Sequence, residues 1–356
     1  MKKLYLCWYP YILYKILIEK MGDEENSYSL LLSDGAADLE PMVPVLRQSG
    51  LFEQVEFFSC EPYKYYYDLI SPKKNPMSSV QKLFMLSKYY LILMFQQRRF
   101  KKIALPFDSS YKSFDKIICS DGDYLINGHL SMNHIEYAIS EHARNVYRLN
   151  VANRQWVIYT RIRSFLDKAR FLSGVGPTSR FCKEIIVNDT TDLKFCIPQK
   201  KLTAWNVDEH IAELNAQQKD RIFQLYADAY GLKIDASQTY DMLLTNPLFS
   251  DAYLPSEESH IKFYKDIIQK YFRNPVLIKP HPRDTVDYKS SFPECAVVDK
   301  NISSEILSFS QDLKFGTVLT LYSTSGASFR EKAEKLIVLE DFRTPPDQME
   351  SLKAYR

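Results

Sequence analysis

Short apolar runs alternate with amphipathic stretches along the first half of the chain. Apolar, β-branched or aromatic residues predict strands over 3–8, 27–32, 55–59, 116–119 and 135–139. Helical spacing of apolar residues, or a closing glycine, predicts helices over 11–20 and 41–50. Strands that alternate with helices at this rhythm are typical of a parallel sheet with crossover connections, so the pattern predicts an α/β fold.

The same pattern begins again in the second half. Strands are predicted over 240–247, 276–278, 318–321 and 336–339, and helices over 217–230, 259–272 and 303–308. A polar stretch separates the two series of strands, which places a domain boundary near residue 235. We therefore expect two α/β domains, residues 1–235 and 236–356.

A long amphipathic helix is predicted over 78–97, and it runs into the basic segment 98–102. A basic end of this kind suits contact with an anionic lipid surface. Cations at a helix C-terminus also complement the helix dipole, so an ordinary solvated terminus is the alternative. The sequence leaves both interpretations open.

Composition narrows the class of protein. The net charge of +2 gives no argument for nucleic-acid binding, and the six cysteines are scattered, which favours neither a zinc site nor a disulfide framework. No N-terminal run has the length of a signal peptide, and no apolar run has that of a membrane span. We expect a cytoplasmic protein, either free or peripheral on the inner face of the plasma membrane.

The segment 275–284, Pro-Val-Leu-Ile-Lys-Pro-His-Pro-Arg-Asp, carries the strongest chemical signal. A short apolar strand ends at Lys279, and two prolines hold the backbone around His281 extended. Ligands of open α/β sheets bind at the carboxyl ends of the strands. An imidazole there, with the Arg283 cation two residues on, suits a phosphate-bearing ligand. A plain turn whose histidine bonds a carbonyl is the alternative.

Two further strand ends of the second half carry candidate groups. Ser323, Thr324 and Ser325 follow the strand predicted over 318–321 and would bind a phosphate if a helix follows them. Asp251 follows the strand predicted over 240–247 and is either a general base or a turn cap. Together with the His281 segment, these parts suit glycosyl transfer from a nucleotide sugar.

Acidic residues follow two strands of the first half. Asp121 and Asp123 form an Asp-x-Asp pair, which many metal-dependent glycosyltransferases use, although such pairs are also common in turns. The cluster 141–145, Glu-His-Ala-Arg-Asn, ends the next strand. Glu141 is therefore either a functional acid or a member of a surface ion pair. The first strand is not followed by G-x-G-x-x-G, so dinucleotide binding is not indicated.

Four segments resemble the family-52 glycosyltransferases, which are bacterial lipooligosaccharide and capsule sialyltransferases. These are the strand 3–8 with its Tyr-Pro-Tyr, Thr-Asn-Pro-Leu-Phe-Ser-Asp at 245–251, Ile-Lys-Pro-His-Pro-Arg-Asp at 278–284, and Tyr-Ser-Thr-Ser at 322–325. The resemblance implies a GT-B fold of two Rossmann-like domains facing a central cleft. Residues 1–235 would be the acceptor side, and 236–356 would bind the nucleotide sugar.

The resemblance also implies a reaction: inverting transfer from CMP-sialic acid to a glycan or glycolipid acceptor, with no metal or other cofactor. It assigns His281 as general acid or phosphate contact, Asp251 as base, and Ser323 and Thr324 as ligands of the donor phosphate. The candidate catalytic residues are thus Asp251, His281 and Glu141. The candidate donor-binding residues are Lys279, Pro282, Arg283, Ser323, Thr324 and Ser325.

The chain departs from the family at one place. Family members show two acids and a glycine where this chain has Glu141, His142 and Ala143. A donor other than sialic acid, a teichoic-type capsule transferase, a non-catalytic glycan-binding relative and a metal-dependent enzyme using Asp121 and Asp123 therefore remain alternatives. Related enzymes can be dimeric, so a homodimer is also open.

Overall fold

The computed structural model describes two compact units, Met1–Leu214 and Asn215–Arg356. The described residues are 1–63, 100–143, 146–147, 161, 164–165, 167–168, 174, 176–191, 193, 201–341, 344–345 and 348–355. The boundary between the units lies after Leu214 rather than near residue 235. The physical reason is that the helix Ala216–Tyr230 packs against the second unit, where it contacts the short helix Ser304–Leu307.

The first unit is built on a seven-stranded sheet whose strand pairs are all parallel. The strands are β1 (Lys2–Cys7), β2 (Ser27–Ser33), β3 (Gln54–Phe58), β4 (Lys116–Ser120), β5 (Tyr137–Ser140), β6 (Cys182–Val187) and β7 (Lys201–Ala204), in the order β3-β2-β1-β4-β5-β6-β7. The helices are α1 (Pro10–Gly22), α2 (Met42–Gln48), α3 (Tyr124–Met132) and α4 (Val207–Glu213).

The central strands of this sheet are apolar on both faces because the sheet is covered on both sides. Five of the six residues of β1, four of the five of β4 and all four of β5 are buried. The strand predicted over 135–139 begins only at Tyr137, because His134 has a φ of 59° and lies in the turn after α3.

The second unit has a five-stranded sheet, again with parallel strand pairs. Its strands are β8 (Thr239–Leu244), β9 (Val276–Lys279), β10 (Ala296–Val297), β11 (Lys314–Thr320) and β12 (Ala333–Val338), in the order β10-β9-β8-β11-β12. Its helices are α5 (Ala216–Tyr230), α6 (Glu257–Tyr271), α7 (Tyr288–Ser291) and α8 (Ser304–Leu307). The predicted α/β class with two parallel sheets is confirmed.

Helix ends in the second unit follow the residues that the sequence supplies. Asn215 and Gln218 form a capping box at the start of α5, and Gly231 ends the helix at a φ of 60°. The Ser256 side chain accepts the Ser259 N–H at 3.1 Å and caps α6. Both ends lie within two residues of the bounds expected for these helices, which were 217–230 and 259–272.

Two predictions fall on the segment 64–99. The helix predicted over 78–97 and the first two residues of the basic segment 98–102 lie outside the described residues. Within the ranges that the structure describes, no helix is both long enough and apolar enough to cross a membrane.

Strand order decides which loops meet. In the second unit, β9 and β11 flank β8, so the segments after these three strands emerge side by side at one edge of the sheet. In the first unit, β1, β4, β5 and β6 are consecutive neighbours. The carboxyl ends of parallel strands are the usual ligand-binding edge, so each unit has one such edge to consider.

Candidate functional site

His281 is held at the edge of the second sheet by bonds to its backbone and its ring. Its N–H donates to Thr245 Oγ1 at 3.0 Å, which ties the loop after β9 to the end of β8. Its Nδ1 accepts the backbone N–H of Arg283 at 3.1 Å. A backbone N–H can only donate, so the neutral ring carries its proton on Nε2. Nε2 is therefore a hydrogen-bond donor for a ligand.

The surroundings of His281 keep the imidazole neutral. Burial lowers the pKa of His281 to about 4, and the Arg283 and Lys279 cations act in the same direction, whereas Asp251 opposes them. At neutral pH the ring is therefore an uncharged hydrogen-bond donor and carries no additional proton that it could transfer. The expected role as general acid requires that a bound anion first raise this pKa.

Arg283 and Asp251 form a bidentate ion pair across the edge of the sheet. Arg283 Nη1 and Nη2 donate to Asp251 Oδ1 and Oδ2 at 3.0 and 3.1 Å. The Arg283 side chain is 61% exposed, and that of Asp251 is 10% exposed. Both carboxylate oxygens are thus occupied by the guanidinium. This geometry favours a role for Asp251 in orienting the exposed Arg283 cation. It does not favour the role as base that was expected from the sequence.

Ser323 lies where β11 ends and a short 3₁₀ helix, Thr324–Phe329, begins. Its N–H donates to Thr320 Oγ1 at 3.1 Å, and its Oγ accepts the Ser325 N–H at 3.2 Å. The hydroxyl proton of Ser323 is left to donate to a ligand. The side chain of Thr324 lies outside the described residues.

Tyr322 connects the β11 end to the ion pair. Burial raises the pKa of Tyr322, and the charges of Asp251 and Arg283 act on it in opposite directions, which places all three groups in one neighbourhood. The structure thus brings together Asp251, His281 and Arg283. These residues lie beside the carboxyl end of β11, which is followed by Ser323. We call these residues the His281 cluster.

The Lys279 side chain is buried and bonded to the backbone. Its buried ammonium donates to the carbonyl oxygens of Pro280 and Lys300, and burial lowers the pKa of Lys279 to about 7. The expected donor-binding role is therefore not supported, since the ammonium is committed to one backbone carbonyl after β9 and one after β10. Pro282 offers no donor and acts by stiffening the segment that carries His281.

A buried polar network beneath the His281 loop was missed from the sequence. Phe249 N–H donates to His260 Nδ1 at 3.3 Å, and His260 Nε2 lies 2.6 Å from the Tyr288 hydroxyl, which donates to Asp284 Oδ2 at 2.7 Å. Asp284 Oδ2 also accepts from Thr245 at 3.4 Å. The network ties the loops after β8 and β9 to α6. Its signal in the sequence was a histidine on the apolar face of α6, three residues before Phe263.

The edge of the first sheet carries a second group, formed by Tyr9, Asp121 and His142. His142 donates its backbone N–H and its Nδ1 proton to Asp121 Oδ1, at 2.8 and 2.6 Å. The Tyr9 ring stacks on the imidazole with 4.8 Å between centroids. We call these three residues the His142 group. The sequence suggested a cluster at this strand end, but the candidate catalytic residue chosen from it was Glu141 and not His142.

Glu141 is a buried member of the strand edge. Its carboxylate accepts the Asn188 N–H and is 1% exposed. Burial raises the pKa of Glu141, while Asn188 and the ammonium of Lys15 oppose the rise. This carboxylate therefore lacks the access that a base acting on a bulky acceptor needs. Glu141 belongs to the first unit, and Asp251 and His281 belong to the second.

The Asp-x-Asp pair does not have the arrangement of a metal site. Asp123 is buried and caps α3, where Oδ1 accepts the Ile126 N–H at 2.9 Å, and burial raises the pKa of Asp123. Asp121 instead accepts a hydrogen bond from the His142 ring. Among the residues that the structure describes, no group of three or more His, Cys, Asp or Glu side chains is placed to hold a metal ion.

Comparison with known proteins identifies a family. The model of the family described as "Glycosyltransferase family 52" matches residues 123–340, which is more than half of the chain. An uncharacterized protein of Haemophilus influenzae is 42% identical over 94 residues. That alignment covers 26% of this chain and 30% of the Haemophilus protein, so the chain matches less than a third of that relative's length.

Solved structures of similar fold have low sequence identity. An α/β-galactoside α-2,3-sialyltransferase from Photobacterium phosphoreum is 11% identical with a TM-score of 0.47, over 99% of this chain and 94% of that one. A UDP-GlcNAc 2-epimerase from Neisseria meningitidis, bound to UDP-GlcNAc, is 11% identical with a TM-score of 0.46, over 98% and 85% of the two chains. Folds of this kind host several activities, so the site has to carry the functional argument.

Proposed function

The chain belongs to glycosyltransferase family 52, and we propose that it transfers sialic acid from CMP-sialic acid to a glycan or glycolipid acceptor, with inversion and without a metal ion. The observation that carries this proposal is the His281 cluster. It places a neutral imidazole, an oriented guanidinium and a serine hydroxyl at the carboxyl ends of adjacent strands.

The groups of the His281 cluster suit the single phosphate of a nucleoside monophosphate donor. His281 Nε2–H and the Ser323 hydroxyl can each donate to a non-bridging oxygen, and Arg283 supplies the opposite charge. Because β9 and β11 lie on either side of β8, their ends are about 10 Å apart, which leaves room for a phosphate and part of the sugar.

The same groups would stabilise the departure of CMP. As the bond between the anomeric carbon and the phosphate oxygen breaks, its electron pair remains on the phosphate. Arg283 offsets that charge, and the His281 hydrogen bond strengthens as the phosphate becomes more negative. We propose that these two groups make a divalent ion unnecessary, so turnover should persist in EDTA.

Nucleotide binding tests the proposal directly. CMP and CMP-sialic acid should raise the melting temperature of the protein, and UDP and GDP should not, since a ligand that binds only the folded protein stabilises it by mass action. His281→Asn keeps an acceptor for the Arg283 N–H but loses the Nε2 proton, so its shift should be smaller. Arg283→Gln should weaken the shift further.

A matched control is available in Lys289, which is exposed in the same unit and six residues from Arg283. Lys289→Gln removes one positive charge and should leave the CMP shift intact. A shift with UDP and none with CMP would discard CMP-sialic acid as donor. A CMP shift that is equal in wild type and both site variants would discard the His281 cluster as the site.

The wider setting follows from the family and stands as part of the proposal. We propose an acceptor of the lipooligosaccharide or capsule type, reached at the inner face of the plasma membrane through the basic segment 98–102, and a homodimer as the assembly. Flotation with vesicles of anionic and neutral lipid tests the membrane contact. Sedimentation equilibrium tests the dimer.

A further inference from the structure

A cavity of about 130 Å³ lies within the first unit, between α1 and one face of the sheet. Residues of α1 form one wall, and side chains of β1 and of β4 to β7 form the other. Both walls are partly apolar, through the isoleucines Ile12, Ile16, Ile118 and Ile186. A water molecule takes ~30 Å³ of liquid volume, so the cavity has room for a small organic molecule.

A buried cation, Lys15, lines this cavity and interrupts the apolar run 12–18 of α1. Lys15 is 5% exposed, and its Nζ donates to Ser140 Oγ at 2.9 Å. The same nitrogen lies 4.9 Å from the centroid of the Trp205 ring. An ammonium has three donors, and Ser140 is the acceptor that the described part of the chain provides. A donor of Lys15 therefore remains for a ligand in the cavity.

The other charged side chains of the lining are joined in ion pairs. Lys3 Nζ lies 2.8 Å from Glu19 Oε1, and Lys116 Nζ lies 2.8 Å from Glu184 Oε2. Within the described ranges, Lys15 is thus the lysine of the lining whose hydrogen bond goes to a neutral hydroxyl and not to a carboxylate. Its positive charge is the one that an anionic ligand would meet.

The ammonium of Lys15 keeps its charge near neutral pH. Burial lowers the pKa of Lys15 to about 8, and the carboxylates that oppose this change are those of Glu141, Glu19 and Asp121. All three carboxylates accept hydrogen bonds from groups other than Lys15. They act on Lys15 through their charge and leave its remaining donor unoccupied.

Two aromatic side chains complete the cavity. The Tyr5 side chain is buried on β1, and its hydroxyl makes no hydrogen bond with the described part of the chain. Trp205 stacks on His210 with 4.4 Å between ring centroids, which fixes the ring that faces Lys15. A buried hydroxyl without a partner is unfavourable, so an acceptor atom of a ligand would satisfy Tyr5 as well as Lys15.

We propose that this cavity binds a small monocarboxylate with an apolar body, whose carboxylate pairs with the Lys15 ammonium and whose body packs against the isoleucine walls. A carboxylate offers only acceptors, which match the donors of Lys15 and Tyr5. One cation outside an ion pair suits one negative charge, whereas a phosphate dianion would bring a second charge that the lining does not offset. The site lies within the first unit and does not depend on the proposed transfer reaction.

Methyl NMR of the wild-type protein tests the site and the class of ligand together. In protein labelled with ¹³C at the isoleucine δ-methyl groups, isobutyrate at pH 7 should shift the signals of Ile118 and Ile186 with a millimolar dissociation constant. Ile118→Val and Ile186→Val assign these signals. Isobutyramide has the same shape without the charge and should bind at least about tenfold more weakly. Inorganic phosphate should shift neither signal.

A matched pair of variants tests the role of the ammonium. Lys15→Met keeps an unbranched stem and should weaken isobutyrate binding by about 10–100-fold, as the loss of a hydrogen bond to a charged group typically does. Lys112→Met, at an exposed position of the same unit, is the control and should bind as wild type. Thermal melting checks that both variants are folded.

Several results would overturn the proposal. Equal binding of isobutyrate and isobutyramide by wild type would discard the carboxylate, and this comparison holds even if Lys15→Met does not fold. Tighter binding of phosphate than of isobutyrate would discard the monoanion. Methyl signals that respond to none of the three compounds, or equal isobutyrate binding by folded Lys15→Met, would discard the site.

Discussion

The neutral imidazole of His281 makes a strong prediction about stability. We consider His281→Asn, because the asparagine Oδ1 can accept the Arg283 N–H as Nδ1 does, while the amide does not titrate. The variant therefore keeps the local hydrogen bond and removes the proton equilibrium. Any difference in pH dependence between the two proteins then belongs to the imidazole.

The magnitude follows from proton linkage. Burial, with Arg283 and Lys279, lowers the pKa of His281 from 6.5 to about 4 in the folded protein. Between these values the unfolded chain binds a proton that the folded chain does not, so the free energy of unfolding falls as pH falls. The linkage relation gives a loss of about 2 kcal/mol between pH 8 and pH 5, approaching about 3 kcal/mol below pH 4.

The assay has to report on the second unit. All three tryptophans, Trp8, Trp156 and Trp205, precede residue 215, so tryptophan fluorescence would follow the first unit. Pulse-labelling hydrogen exchange in urea, read on peptides that cover β8 and β9, measures the correct transition. Groups that titrate in both proteins cancel in the difference between wild type and variant.

Wild type should lose about 2 kcal/mol more than His281→Asn when the pH is lowered from 8 to 5. Equal losses in the two proteins would refute the reasoning, since they would mean that His281 gains a proton as easily in the folded state as in the unfolded one. A larger loss in the variant would contradict the sign of the effect and require a stabilised imidazolium.

Three other predictions concern the buried network of the second unit, the packing against Trp8 and the N-terminal cap of α5. Tyr288→Phe removes the hydroxyl that donates to buried Asp284 and should lower the free energy of unfolding of the second unit by about 1–3 kcal/mol in urea; an unchanged value would speak against the network. Gly35→Ala places a Cβ 1.8 Å from the Trp8 ring and should cost about 1–3 kcal/mol with a shift in tryptophan emission, whereas wild-type stability and emission would show that the two residues do not touch. Asn215→Ala removes the capping box and should cost about 1 kcal/mol by urea unfolding, a result contradicted by a change of only a few tenths.

Local features of the second unit were predicted well from the sequence. The apolar run at 276–278 predicted β9 correctly. The extended segment expected around His281 is instead a turn at Pro282 and Arg283, where the Asp284 N–H donates to the His281 carbonyl oxygen at 2.9 Å. The caps at Gly231 and Ser256 are equally local. In each case the backbone preference of the residue itself decides the conformation.

Residues separated along the chain were predicted less well. Lys279 was predicted to bind the donor, but its ammonium donates to the carbonyl oxygen of Lys300, which lies after the next strand. Asp251 was assigned as a base, but β9 runs beside β8 and delivers Arg283 to both of its oxygens. Local pattern gives no information about such partners.

Glu141 and His142 illustrate which features the sequence determined and which features only the tertiary structure decided. Apolar periodicity by itself determined the α/β class, the parallel sheets and the strand ends that carry chemistry, because burial selects those patterns in any chain that folds this way. Only the tertiary structure decided that β4 lies beside β5 and that β5 ends at Ser140, which buries Glu141 and turns His142 toward Asp121. Side chains alternate between faces along a strand, so a difference of one residue in where a strand ends decides which side chain reaches the edge.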